Sequence, residues 1–406
     1  MISEIEAKKP VSRAQLPETF LTALYRCQAP YRGCGHGCVY CDGRAEKFYV
    51  EGDFERDIVV RTNIAQAARA SIDGLVTARE WGAICIGSGV TDVYQPLEAE
   101  RGLTRRTLEV LSETGLPLVI LTKSSLVKRD FDILSRFPRV LLIMTVTGVD
   151  EKIVSLVEPG APCTAERLET LRLARKKGFM TGIMAMPLLP GPDESDMQTA
   201  QLFSAAANCG AGFVWPGGLT LRPGRQKDLF MNLVEHHWPD QLQQYRQLYA
   251  RERPSGMPNS ETYGPRARAW HHSLIKAGIP PMIPHSQHCK LLSPPDSLFV
   301  LLCHMQELYS KAGVDIRPLA QASARYTDWL KTERTALRRR RIPVCCSDPF
   351  PVTRVLEQKL FDLLEKDKAA GFASLTGNRR LTELARKIIV DGQTFDYCRL
   401  SAGQSQ

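Results

Sequence analysis

The segment Ala29-Pro-Tyr-Arg-Gly-Cys34-Gly-His-Gly-Cys38-Val-Tyr-Cys41 decides how the rest of this chain is read. Cys34, Cys38 and Cys41 follow a C-x3-C-x2-C spacing, so three thiolates come from one short loop. A soft iron–sulfur cluster needs thiolate donors converging in that way. Gly33, Gly35 and Gly37 interleave with the cysteines. Glycine tolerates positive φ, so such a backbone can wrap a cluster without clashing Cβ atoms. Three thiolates rather than four leave one iron uncapped, and an open metal position is where a substrate or cofactor binds. The competing reading is a zinc knuckle, with Cys27 or His36 as fourth ligand. Zinc ligands usually come as two separated C-x2-4-C halves, and no second pair follows nearby.

Composition sets the frame for this loop. The 406 residues include 53 Lys+Arg against 44 Asp+Glu, a net charge of +9, and 43% are hydrophobic. Collagen-like, mucin-like and wholly disordered chains are excluded. No apolar run approaches the roughly 18 residues of a membrane span. The N-terminal ten residues mix charges and have no apolar signal core, so a cytoplasmic protein without a membrane partner is expected. Twelve cysteines could suggest disulfides, but that compartment is reducing. Cys85, Cys209 and Cys303 lie inside apolar stretches, where cysteine is usually a small buried hydrophobe.

Residues 1–18 are polar and carry Pro10 and Pro17, and read as a flexible N-terminal arm. Over residues 19–222 short apolar runs alternate with amphipathic stretches. Strand-like Ala83-Ile-Cys-Ile86 precedes a helical face of Leu103, Leu108 and Leu111. Pro117-Leu-Val-Ile-Leu-Thr122 precedes a helical stretch at 129–136. Val140-Leu-Leu-Ile-Met-Thr-Val146 precedes a helix that Thr164 would cap and Gly178 would end. Apolar runs at 179–186 and 211–221 complete the series. Strands alternating with helices of about 10–15 residues imply βαβ units and a parallel sheet. The predicted fold is α/β: a partial (β/α)6 barrel, with its chemistry at the strand C-terminal ends. Residues 223–290, rich in His and Pro, read as a segment closing the barrel, and 291–406 as a mostly helical C-terminal extension.

The cysteine loop, with its aromatic Tyr40 just before the last cysteine, resembles the radical S-adenosylmethionine (SAM) superfamily. That resemblance implies a [4Fe-4S] cluster on Cys34, Cys38 and Cys41 whose unique iron chelates the amino and carboxylate groups of SAM. It implies reductive cleavage to methionine and a 5′-deoxyadenosyl radical that abstracts hydrogen from a substrate. Over about residues 20–220 the chain is most similar to the spore photoproduct lyase-like branch. In Ile86-Gly-Ser-Gly-Val-Thr-Asp92, Gly87 and Ser88 stand where the family's second strand meets the SAM amino group. Lys123, ending Ile120-Leu-Thr-Lys123, takes the place of a partner for the SAM carboxylate. Thr145, rather than Thr147, takes that of the ribose contact, and Tyr40 that of an adenine neighbour. Glu158-Pro-Gly160 and Arg167 are similar to the branch's fourth loop and helix, where Arg167 would reach SAM or form a surface ion pair.

One position departs from the branch. Spore photoproduct lyase returns a hydrogen atom from a cysteine near the end of its second strand; the matching register here gives Gly89, and Cys85 lies four residues earlier. Thymine-dimer repair therefore does not carry over. The resemblance also implies an electron donor of flavodoxin or ferredoxin type. The charge surplus, Arg338–Arg341 and the basic-aromatic stretch at 263–272 suggest a DNA or RNA substrate. The alternatives are a radical SAM enzyme acting on a peptide or small metabolite, and a non-catalytic nucleic-acid-binding protein with a structural cluster or zinc. His285, His288 and Cys289 form a weak pattern for a second metal site, and Cys345-Cys346 lack partners at a recognised spacing.

Overall fold

The apolar runs of the first 220 residues become neighbouring strands of one sheet. The computed structural model describes residues 1–48, 52–76, 80–87, 89–191, 196–340, 342, 344, 347–365 and 371–399. Its strands are, in chain order, β1 (Ile2–Ile5), β2 (Val11–Glu18), β3 (Ala23–Cys27), β4 (Tyr31–Arg32) and β5 (Ile58–Arg61). They continue with β6 (Ile84–Ile86), β7 (Leu118–Thr122), β8 (Val140–Thr145), β9 (Met180–Leu188) and β10 (Val214–Gly218). The main sheet has the order β10-β9-β8-β7-β6-β3-β2. From β3 to β10 the six strands pair parallel, and only β2 is antiparallel. This is the α/β half-barrel arrangement, with Ile86 opposite Ile120, Ile120 opposite Leu142 and Leu142 opposite Thr181.

Side-chain alternation divides the sheet into two cores. On the outer face Ile84, Ile120, Leu142 and Ile183 pack on Leu108, Leu111, Leu171 and Leu202 of the crossover helices. On the inner face Ala83, Cys85, Val119, Leu141 and Ile143 meet Leu298, Leu301 and Leu302 of the helix Pro294–Lys311. Strands covered on both sides read as continuous apolar runs, which is why β7 and β8 lack a polar alternation. A bridge between Gly82 and Leu292 ties the C-terminal region to the start of β6. The C-terminal helices thus fill the barrel interior from the N-terminal ends of the strands. The other end stays open.

Three local expectations are corrected. Residues 1–18 are not an arm: β1 pairs parallel with β5, and β2 pairs with β3. The ladder offsets the polar composition, and Pro17 falls where the β2 register is already irregular, so its missing N–H costs nothing. The stretch 129–136 holds the end of a 3-10 turn, Ser125–Asp130, and a short helix, Phe131–Leu134. The helix Thr164–Lys176 is capped at Cys163; the Thr164 hydroxyl donates instead to the Gly148 carbonyl at 2.9 Å. No helix among the described residues is long and apolar enough to cross a membrane.

Candidate active site

The cysteine loop lies across the C-terminal ends of the parallel strands and is bolted there by side chains from β6 onward. The Gly33 carbonyl accepts from the Thr91 hydroxyl (2.7 Å) and the Gln95 amide (3.1 Å), while Gly35 N–H donates to the Gln95 oxygen (2.8 Å). Gly33 and Gly37 take positive φ, +82° and +63°, whereas Gly35 does not. Gly160 serves a different purpose. A Cβ there would stand 2.4 Å from the Gly35 carbonyl, so only glycine lets the fourth loop approach this closely. His36 completes the seam by contacting the Gly160 carbonyl through Nδ1 (3.0 Å) and accepting the Gly160 N–H on its own carbonyl.

The loop borders an open cavity of about 330 Å³. Cys34, Cys38 and Cys41 line it, together with Tyr40, Lys123 and Thr145. Phe20, Leu121, Met184 and Met186 give it an apolar wall. All three thiols are free. Burial pushes Cys34 up to about 12 and Cys38 well above the usual thiol range, and raises Cys41. Buried thiolates at neutral pH thus need a cationic group to hold, and three soft donors bordering one cavity fit an iron–sulfur cluster. Gly43 N–H points at the Cys41 sulfur (3.4 Å), the kind of contact that tunes a cluster. Of the possible fourth zinc ligands, Cys27 is fully buried at the end of β3 and does not line this cavity.

Behind the cysteines one carboxylate organises the site. Glu158 is buried and accepts from the Tyr40 hydroxyl and from Thr147 Oγ1 (2.9 Å). Arg167 meets it at 2.5 Å and also donates to the carbonyls of Thr145 (3.2 Å) and Pro162 (2.8 Å). Lys123 Nζ is farther from Glu158, 3.5 Å, and lies 5.5 Å from the Tyr40 ring centre. Burial would raise the Glu158 carboxyl, but Lys123 and Arg167 hold it down at about 2. One negative charge thus faces two positive ones, and the surplus cation, Lys123, is the one that borders the cavity. Asp92 does comparable work one strand earlier. It accepts from Tyr94 N–H (2.8 Å), Thr122 Oγ1 (2.7 Å) and Lys123 N–H (2.7 Å), fixing the end of β7.

Of the residues singled out in the sequence, Cys34, Cys38, Cys41, Tyr40, Lys123 and Thr145 meet at this cavity. Arg167 stands behind them, wholly buried, and is neither a surface ion pair nor a cavity residue. Gly87 faces a neighbouring cleft, whereas Gly89 borders the cavity itself. Ser88 lies outside the described residues. Sequence reasoning missed Asp92, Gln95 and the organising role of Glu158; each was present in a quoted or adjacent motif, but a lone carboxylate or amide carries no spacing signal. The stretch at 263–272 is part of the helix Ser260–Lys276, where Trp270 and His271 are buried. Arg338 pairs with Glu80 at 2.6 Å instead of forming a free basic face, and Arg341 lies outside the described residues. His288 is bonded to Ser297 (3.0 Å) and Tyr397 (3.1 Å). Among the described residues no three His, Cys, Asp or Glu side chains are close enough to hold a single metal ion, so the His285–Cys289 stretch forms no second ion site; the three loop cysteines do not form a single-ion site either, and would each take a different iron of a cluster. Cys345 and Cys346 lie outside the described residues.

Comparison with known proteins matches residues 29–203 to the Radical SAM superfamily. An uncharacterised protein of Mycobacterium tuberculosis (strain ATCC 25618 / H37Rv) is 31% identical over 228 residues, which cover 54% of this chain and 66% of that one. The chain therefore spans about two thirds, and not all, of that relative's length. A radical SAM Nα-GlyT isomerase of Pseudomonas phage M6 is 25% identical over 168 residues, 40% of this chain and 33% of its own. Among solved structures, a spore photoproduct lyase variant with bound AdoMet and dinucleoside spore photoproduct is similar, with a TM-score of 0.48 and 14% identity. The match covers 67% of this chain and 79% of that one.

Proposed function

We propose, from the match of residues 29–203 to the Radical SAM superfamily, whose cofactors are a [4Fe-4S] cluster and SAM, that this chain is a radical SAM enzyme acting on nucleic acid. The reading is carried by one observation: three cysteines of a single loop border a cavity at the strand ends that also presents a half-buried lysine. A bound cluster would supply the electron that cleaves SAM reductively to methionine and a 5′-deoxyadenosyl radical.

Within this proposal Cys34, Cys38 and Cys41 hold the cluster and leave one metal position open. Lys123 offers its surplus charge to the SAM carboxylate, a point-charge contact at the rim of the cavity. Thr145 presents a hydroxyl from the end of β8, and Arg167 fixes that strand end by holding the Thr145 carbonyl. Tyr40 is kept from rotating by its bond to Glu158, which presents the ring as a wall. Gly87 and Ser88 belong to the turn that would meet the amino group. Phe20, Leu121, Met184 and Met186 exclude water, which a primary alkyl radical requires.

A flavodoxin- or ferredoxin-type donor supplies the electron, and a reducing cytoplasm suits the free thiols. Support for a nucleic-acid substrate is the net charge of +9; the surplus is modest, since Arg338 is spent on Glu80. Anaerobic reconstitution with SAM and dithionite, assayed for 5′-deoxyadenosine with and without DNA or RNA, tests both statements. Product formation is expected, and stimulation by nucleic acid separates that substrate from a peptide or small metabolite. Preparations that take up no iron would refute the enzyme reading outright.

A further inference from the structure

A second cavity, of about 290 Å³, adjoins the cysteine loop from its other side. Its described lining includes Arg26, Arg32 and Arg61, and no Asp or Glu. Arg26 and Arg32 are exposed at its rim, and Phe48 and Phe54 contribute aromatic surface. Arg61 is held in place by the carbonyls of Ala29 (2.9 Å) and Tyr31 (3.3 Å), and burial together with Arg32 lowers its pKa. Arg61 has no carboxylate partner among the described residues. The Arg26 guanidinium does pair with Glu18, but both groups are solvent-exposed, so salt and water screen that pair.

The cleft is separated from the cysteine cavity by a thin wall. Thr91 lines both. Its hydroxyl bonds to the Gly33 carbonyl at 2.7 Å, and Cys34 N–H, next in the chain, donates to the Phe54 carbonyl at 3.0 Å. Gly33 and Phe54 line the cleft, while Cys34 lines the cavity. A basic, partly aromatic surface therefore lies one residue layer from the cluster thiolates, on a path that avoids the apolar substrate wall.

We infer that this cleft is the docking surface of the reductant, an acidic one-electron carrier of the flavodoxin type. The inference rests on the radical SAM reading and adds where the electron enters. The donor loses the single electron that the cluster gains, and no group is transferred. Opposite charge on the two surfaces speeds encounter and fixes orientation, which suits a transient redox complex. Phosphate-bearing nucleic acid is the competing occupant of an arginine-lined cleft, but the shared Thr91 wall favours the donor.

The test uses the cluster-reconstituted full chain, a purified acidic flavodoxin and the double variant Arg26→Glu/Arg32→Glu. The first readout is binding alone, by titration of the flavodoxin at low salt. We expect at least a tenfold weaker Kd, and a loss of most of its salt dependence. The second readout is 5′-deoxyadenosine formation, expected to fall about tenfold with the flavodoxin hydroquinone and to stay unchanged with dithionite. Arg26→Gln/Arg32→Gln should give an intermediate effect and covers the case in which the reversed charges impair folding. Equal flavodoxin affinity for wild type and both variants overturns the proposal, as does a selective loss of nucleic-acid binding. If dithionite yields no 5′-deoxyadenosine in any form, the radical SAM reading fails, while the binding titration still decides the docking surface.

Discussion

Two groups of buried charge stand at opposite ends of the same strands, each with one cation more than it has carboxylates, and they differ in what that cation borders. At the N-terminal ends Glu80 takes Arg13 (3.0 Å), Arg334 (2.9 Å) and Arg338 (2.6 Å). Asp296 takes Arg334 through both its oxygens at 2.7 Å. The arginines come from β2 and from the long helix Arg317–Arg339, so the knot joins the two ends of the chain. At the C-terminal ends Glu158 serves Arg167 closely and Lys123 loosely, and Lys123 borders a cavity. The chemistry is the same in both places. What differs is that Lys123 borders the cavity shared with the cysteines, where a ligand can reach it. Burial and shifted pKa values alone would have flagged both ends.

The largest effect tests whether the open end is a site at all. Cys38→Ala should abolish 5′-deoxyadenosine formation and lower bound iron and sulfide, because a cluster cannot be held by the two thiolates that remain. Retention of a full cluster with undiminished turnover would leave the open end as mere architecture. The closed end is expected to fail in another way. Arg334→Met removes one partner of two buried carboxylates, which costs about 3–5 kcal/mol. The loss would be read as a lower Tm, with SAM affinity unchanged per folded molecule. Lys123→Met should show the mirror image. Loss of a hydrogen bond to a charged group is worth about 1.5–3 kcal/mol, so SAM affinity should drop roughly 10- to 100-fold while Tm moves little. The contrast breaks if Lys123→Met destabilises as much as Arg334→Met.

How much of this contrast is legible in the sequence differs between the two ends. The cysteine spacing and the five apolar runs disclose the loop and the strands β6 to β10, since local pattern determines both. The strand ends then place Lys123 and Thr145 by topology. The closed end leaves no such trace. Glu80, Asp296 and Arg334 are separated by up to 254 positions and meet only through tertiary packing. The arginine run at 338–341 suggested a solvated or nucleic-acid face, yet Arg338 is an internal partner. Residues 1–18 misled for a related reason. A ladder with β3 and β5 stabilises strands whose own composition is polar.

A pH titration separates the ends further. Burial lowers His285 and His304 to about 4, and His304 sits in the closed interior between Thr19 (2.9 Å) and Tyr397 (2.9 Å). An unfolded histidine titrates near 6.5. Between about pH 6.5 and 4 the unfolded chain therefore binds protons that the folded chain refuses, and stability falls as pH falls. Each such histidine contributes up to about 1.4 kcal/mol per pH unit. Glu158, depressed to about 2, acts in the same sense but in a lower window, with its contribution present above the unfolded carboxyl value near 4.3 and lost only as pH drops toward 2. Acid unfolding should thus begin in the histidine range. A His304→Gln variant should have a flatter Tm profile between pH 6.5 and 4, and an unchanged slope would show that His304 is not what acid attacks.

The smallest expected effect concerns Cys85, which stands between the two ends. Its side chain lies in the inner layer with Val119 and Leu141, opposite Arg26 and Val119 in the sheet register. It is fully buried, does not line the cavity, and burial pushes its thiol up to about 12. The cavity border nearest in sequence is Gly89, which has no hydrogen to donate from a side chain. Cys85→Ala should cost only about 1 kcal/mol, the value of one small buried group, and leave the product ratio and solvent-deuterium incorporation unchanged. A changed deuterium pattern in that variant would move Cys85 from packing to chemistry. It would also show that the inner layer is in contact with the reaction, against the separation of sealed and open ends argued above.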